Sequence, residues 1–143
     1  MPAGRKQVDY SDIRYDGITM KIDGVTITYD ANQTNGIGKA AGTGTAVTLS
    51  ADDTVALTQD ANYVFGKLLR VSADGFCTVQ RWGMATLPSS GTTTRGTKIV
   101  GALSASQRGF VRSAVAATAA EVAVSRGDVV NVADAANVVV DLG

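Results

Sequence analysis

Few residues in this chain are of types that do chemistry, and their surroundings say what they can do. There is no histidine, a single cysteine, Cys77, and a single glutamate, Glu121; the remaining acids are aspartates. Without histidine the commonest general base, the commonest metal ligand and every Ser-His or Cys-His nucleophile pair are excluded together. Paired carboxylates could work without it, but the aspartates stand in turn-like settings such as "DG" and "ADD", where the side chain bonds its own backbone. Cys77 has no activating base nearby, and a small inward-pointing thiol accounts for it. These residues predict no enzyme, no metal site and no cofactor.

Two short stretches still invite a functional reading. "TNGIGKAAGTG" has the glycines of a phosphate-binding loop but lacks its Gly-Lys-Ser/Thr ending and its strand-then-helix frame, so a Gly-rich connection is expected. "SRGDVV", Ser125 to Val130, contains the Arg-Gly-Asp tripeptide that adhesion receptors read on exposed loops. The competing explanation is local. Thr118 and Glu121 have capping-box spacing, Arg126 suits the negative end of a helix over about 119–126, Gly127 is a left-handed stop, and Asp128 opens the strand "DVVNV".

The elements that must carry these residues are mostly strands. With 143 residues, 45% of them hydrophobic, the chain has material for one domain with a core. Thirteen basic residues balance thirteen acidic ones, so no overall field favours nucleic acid or an anionic membrane as partner. No run of about 18 apolar residues offers a membrane span, and "MPAGRKQVDYSDIRYDG" has no signal-like apolar stretch. Synthesis as a soluble protein in the cytoplasm is the expectation. One cysteine cannot form an internal disulfide, so stability must come from packing or association.

In "ITMKIDGVTITY", a two-residue turn at Asp23-Gly24 predicts a hairpin pairing Ile22 with Val25, Met20 with Ile27 and Ile18 with Tyr29. In "KLLRVSADGFCTVQRW", a loop of Ala73, Asp74 and left-handed Gly75 pairs Val71 with Cys77 and Leu69 with Val79. Shorter strands are expected at Ala46–Leu49 and Thr54–Leu57, in "WGMATLP" and "TKIVGAL", and around Phe110 and Val111. "SSGTTTRG" reads as a surface loop. The chain closes on two Val-rich strands about a turn at 133–137, with Val138, Val140 and Leu142 on one face. The expected fold is mainly β, a small β-barrel or β-sandwich-like domain over 17–143 with one short helix. A Gly/Thr-rich loop at 30–46 lies within it, and an extended arm, 1–16, precedes it.

The arm mixes charge with apolar and aromatic surface in Arg5, Lys6, Tyr10, Ile13, Arg14 and Tyr15, as interface anchors do; a frayed, solvated end is the alternative. Trp82, the only tryptophan, is either an interface anchor or a half-buried strand residue.

From Ile18 onward, "ITMKIDGVTITYDANQTNG", "VTLSADDTVALTQDANYVFGKLLRVSADGFCTVQRWGMATLP", "TRGTKIVGAL" and "ATAAEVAVSRGDVVNVADAANVVVDL" together resemble the head decoration, or capsid cement, proteins of tailed bacteriophages. The resemblance implies a non-enzymatic virion protein on the outer capsid surface, commonly a homotrimer, whose partner is the major capsid protein and which ties neighbouring subunits together. An adhesion module using Arg126, Gly127 and Asp128, and a tail-tube or fibre subunit, are the other classes the sequence leaves open.

Overall fold

The computed structural model of the chain describes residues 17–29, 42–134 and 136–143, and among these alternating apolar and polar residues become ten strands and one short helix. In chain order these are β1 (Gly17–Ile22), β2 (Ala46–Ala51), β3 (Thr54–Leu57), β4 (Gly66–Val71), β5 (Phe76–Gln80), β6 (Met84–Pro88), β7 (Ile99–Ser104), β8 (Gln107–Ser113), α1 (Ala119–Val124), β9 (Asp128–Val132) and β10 (Asn137–Asp141). The protein is mainly β, as expected. The first five strands close a barrel in the order β1-β3-β2-β4-β5; β6, β10 and β9 form a sheet, and β7 and β8 a hairpin.

The β4–β5 hairpin forms about the expected turn, with Gly75 at φ 88° and Val71 opposite Cys77. Its register then departs from expectation. A bulge between Leu68 and Arg70 sets Leu68, not Leu69, against Val79 and leaves Leu69 40% exposed. The extra residue lets Leu68 and Val71 both enter the core, which strict alternation would forbid.

The expected Ile18–Tyr29 hairpin does not form. The Asp23 carboxylate accepts the Val25, Thr26 and Ile27 amides at 3.0–3.3 Å and the Thr26 hydroxyl at 2.7 Å, which occupies donors that a returning strand would offer to β1. Val25 is 83% exposed instead of facing Ile22. β1 pairs antiparallel with β5, Met20 facing Cys77 and Ile18 facing Val79, and runs parallel to β3 at Ile22 and Val55. The apolar face was legible even so: Met20 and Ile27 are buried in the barrel, and Ile18, Ile22 and Tyr29 pack against it.

Closure demands a close approach. A Cβ on Gly66 would collide with the Gln80 carbonyl and stand 2.7 Å from Val79 Cγ1, so only glycine admits β4 to its place beside β5. Two cores result. Val47, Val55, Leu68, Val71, Cys77 and Val79 fill the barrel, while Leu87, Ile99, Val111, Val138, Val140 and Leu142 fill the space under the second sheet and the β7–β8 hairpin. Val138, Val140 and Leu142 share the buried face expected of them.

Candidate interaction surface

The segment leading into α1 is held by one charged clamp. Arg112, on β8, donates to both Glu121 carboxylate oxygens, at 2.7 and 3.0 Å, and to Asp60 at 3.1 Å; the Val115 amide also donates to Glu121, at 3.0 Å. Glu121 was expected to complete a capping box with Thr118. The helix instead has no side-chain cap bond, because the bidentate guanidinium takes the carboxylate. These bonds, Arg112 foremost and then the Val115 amide, hold the Glu121 carboxyl down to about 2 from an ordinary 4.5. Asp23 is also lowered: burial opposes the shift, but the hydrogen bonds from Thr26, Ile27 and Val25 outweigh it.

The sign of the pH effect follows. A carboxyl depressed by folding contributes stability that is complete above its unfolded value and is lost as pH falls toward the folded one. The melting temperature should therefore decline between about pH 4.5 and pH 2, and Glu121→Gln should make that decline shallower in thermal melts across the window. An identical acid profile for the variant would show that the clamp contributes nothing.

What the clamp presents is apolar. From Ala114 to Val124 the only charged residue is Glu121, which Arg112 neutralises. None of the six residues of α1 is buried, and Val115 and Val122 are 48% and 51% exposed. A surface of alanine and valine, fixed in place but left uncovered, is of the kind that protein contacts use.

The Arg-Gly-Asp tripeptide has another role. α1 ends at Val124 with Ser125 as its cap, two residues before the expected glycine stop, so Arg126 does not serve the helix end. Arg126 pairs through its backbone with Ile99, and its guanidinium donates to the carbonyls of Phe65 at 2.8 Å, Arg81 at 3.1 Å and Leu142. It thus ties the barrel to the chain after β5 and after β10. Gly127 is left-handed, at φ 68°, but what demands glycine is β10: a Cβ there would stand 2.9 Å from the Asp141 carbonyl oxygen. Asp128 is exposed and meets Lys98 at 3.3 Å. A guanidinium spent on internal carbonyls is not presented to a receptor.

Trp82 lies between β5 and β6, 44% exposed, with the Arg81 guanidinium 5.8 Å from its ring. Arg81 also stands 4.1 Å over the Phe65 ring. Cys77 is buried in the barrel, and burial pushes its thiol up to about 11, as suits packing and not nucleophilic attack. Arg5, Lys6, Tyr10, Ile13, Arg14 and Tyr15, the arm as a whole and most of the 30–46 loop lie outside the described residues. Among the described residues, no cluster of three or more His, Cys, Asp or Glu side chains is placed to hold a metal ion, and no helix is long and apolar enough to cross a membrane.

The outward Trp82 side chain and the apolar α1 segment were not both legible beforehand. Trp82 stood out by its type; the run "AVAATAAEVAV" showed its lack of charge, yet a six-residue helix carries too little periodicity to reveal that it has no buried face. Compared with protein-family models, curated proteins and solved structures, the chain finds no match in any of the three.

Proposed function

We propose that this chain is a structural virion protein that binds the outside of a bacteriophage capsid and cements the lattice by bridging neighbouring major capsid subunits, working as a homotrimer. The resemblance of its segments to phage decoration proteins suggests the class. The observation that carries it further is the uncharged, uncovered surface from Ala114 to Val124, clamped rigidly by Arg112 and Glu121, which suits contact with another protein. Cementing needs little more than added interface: each copy bridging two subunits makes their separation cost its own contacts, and a trimer engages several sites at high effective concentration.

The test is co-sedimentation with expanded, empty phage heads, run beside thermal melting, for the full chain and for a chain lacking residues 1–16. β1 begins at Gly17, so the deletion should leave the melt within a few degrees, while binding to heads should fall at least tenfold. Failure of the full chain to sediment with heads would sink the proposal. Unchanged binding after deletion would remove the arm from the contact, and a collapsed melt would place it in the fold. With the exposed α1 surface as the trimer seam, Val122→Lys should convert the trimer to a folded monomer by light scattering, its melt lowered only by the association it loses.

A further inference from the structure

On one surface of the barrel, two cations, Lys67 and Arg70, have no ion-pair partner among the described residues. On β4 and β5 the inward residues Leu68, Val71, Cys77 and Val79 are buried, so the intervening residues face out. Lys67 lies opposite Gln80 and Arg70 opposite Thr78, with Leu69 turned outward between them by the bulge. The Gln80 side-chain amide donates to the Trp82 backbone carbonyl at 2.9 Å, which brings Trp82 to the end of the row formed by Lys67, Leu69 and Arg70. Lys67 and Arg70 make none of the described salt bridges, which join only Lys98 to Asp128 and Arg112 to Asp60 and Glu121, whereas the Arg81 guanidinium is held inward, donating to the Phe65 carbonyl at 2.6 Å and the Tyr63 hydroxyl at 3.1 Å. Burial lowers the Lys67 ammonium from its ordinary value, the mark of a cation partly withdrawn from water without an anion in return. The carboxylates nearest in sequence, Asp60 and Asp74, are engaged elsewhere: Asp60 with Arg112, and Asp74 with the Phe76 amide at 3.2 Å.

We infer that this face, Lys67 and Arg70 with Leu69 and Trp82, docks an acidic protein surface. Resting on the capsid reading, it is the face that meets the major capsid protein. Charge complementarity selects an acidic occupant. The two exposed apolar side chains, Leu69 at 40% and Trp82 at 44%, make a folded protein a better fit than a phosphate backbone, since a tryptophan beside arginines is a typical contact anchor. Two such cations on a chain of zero net charge are also few for nucleic acid.

Trp82 supplies the readout, because the chain has no other tryptophan. Its fluorescence is titrated with a soluble peptide of alternating glutamate and leucine, at low and at physiological salt, for the full chain and for the double variant Lys67→Glu, Arg70→Glu. The same proteins are tested for co-sedimentation with empty heads. A saturable, salt-weakened fluorescence change that the double variant reduces at least tenfold, with an unchanged melt, supports the inference, and a parallel tenfold loss of head binding assigns the face to the lattice. Because both changes lie on the exposed side, Lys67→Gln with Arg70→Gln serves if the reversed charges disturb folding. Peptide binding without head binding upholds the face and sinks the capsid reading. Head binding that the variant leaves intact, tighter binding of a single-stranded oligonucleotide than of the peptide, or peptide binding only after residues 1–16 are removed each overturns the inference.

Discussion

Arg126→Met is expected to cost about 3 kcal/mol of folding stability, near 1 kcal/mol for each guanidinium-to-carbonyl hydrogen bond lost, although the Phe65 carbonyl keeps its bond from Arg81. The guanidinium is the shared partner of the Phe65, Arg81 and Leu142 carbonyls, which come from three separate stretches of chain. Methionine restores much of the side-chain volume and none of the donors, so the loss reports hydrogen bonding and not a cavity. Lysine should recover only part of it, because one ammonium cannot present the planar fork that reaches three carbonyls at once. Urea denaturation gives the difference from the midpoint at constant slope. A loss under about 1 kcal/mol for the methionine variant would show that water replaces the guanidinium freely and that the three segments are tied by other means.

Gly66→Ala should be comparably damaging, at roughly 3 kcal/mol, for the opposite reason: an atom is added where there is no room. The obstacle is the Gln80 backbone carbonyl, which cannot rotate aside as a side chain would, with Val79 Cγ1 behind it at 2.7 Å. Relief requires β4 to part from β5, so amide hydrogen exchange should quicken along both strands while β7 and β8 keep their protection. Gly24→Ala is the control. At φ 74°, with nothing within 4 Å of its added carbon, it bears only the conformational cost, about 1 kcal/mol. Equal effects at the two positions would mean that backbone conformation, not closure of the barrel, is what glycine supplies at Gly66.

How much of this was legible in the sequence depended on how local the cause was. The Ala73–Gly75 turn and the Val138, Val140 and Leu142 face were readable because neighbours in sequence determine them. The bulge at Leu69 was not, since an added residue leaves each flanking run alternating normally and shows only as a shift between them. "DG" at Asp23 misled because a hairpin turn and a side-chain-capped turn use the same two residues; the choice was made by β5, which sequence spacing does not bring near. Arg126 was explained by the wrong neighbour. A helix end stood two residues away, whereas its real partners are carbonyls, which every residue carries and no pattern marks. Trp82 was readable by its type, but the patch around it depends on cross-strand register and so on the same bulge.

The closed order of the first five strands sets the manner in which copies of this protein can meet. A closed barrel has no free row of amides and carbonyls, and β9, an outer strand of the second sheet, already exchanges backbone bonds with Gly96 and Thr97 through Val129. At the barrel and at β9, joining copies by extending one sheet into the next, the route to fibrils, is thereby obstructed. Contacts made there fall to side chains, which can be exchanged one at a time and whose strength is graded by substitution.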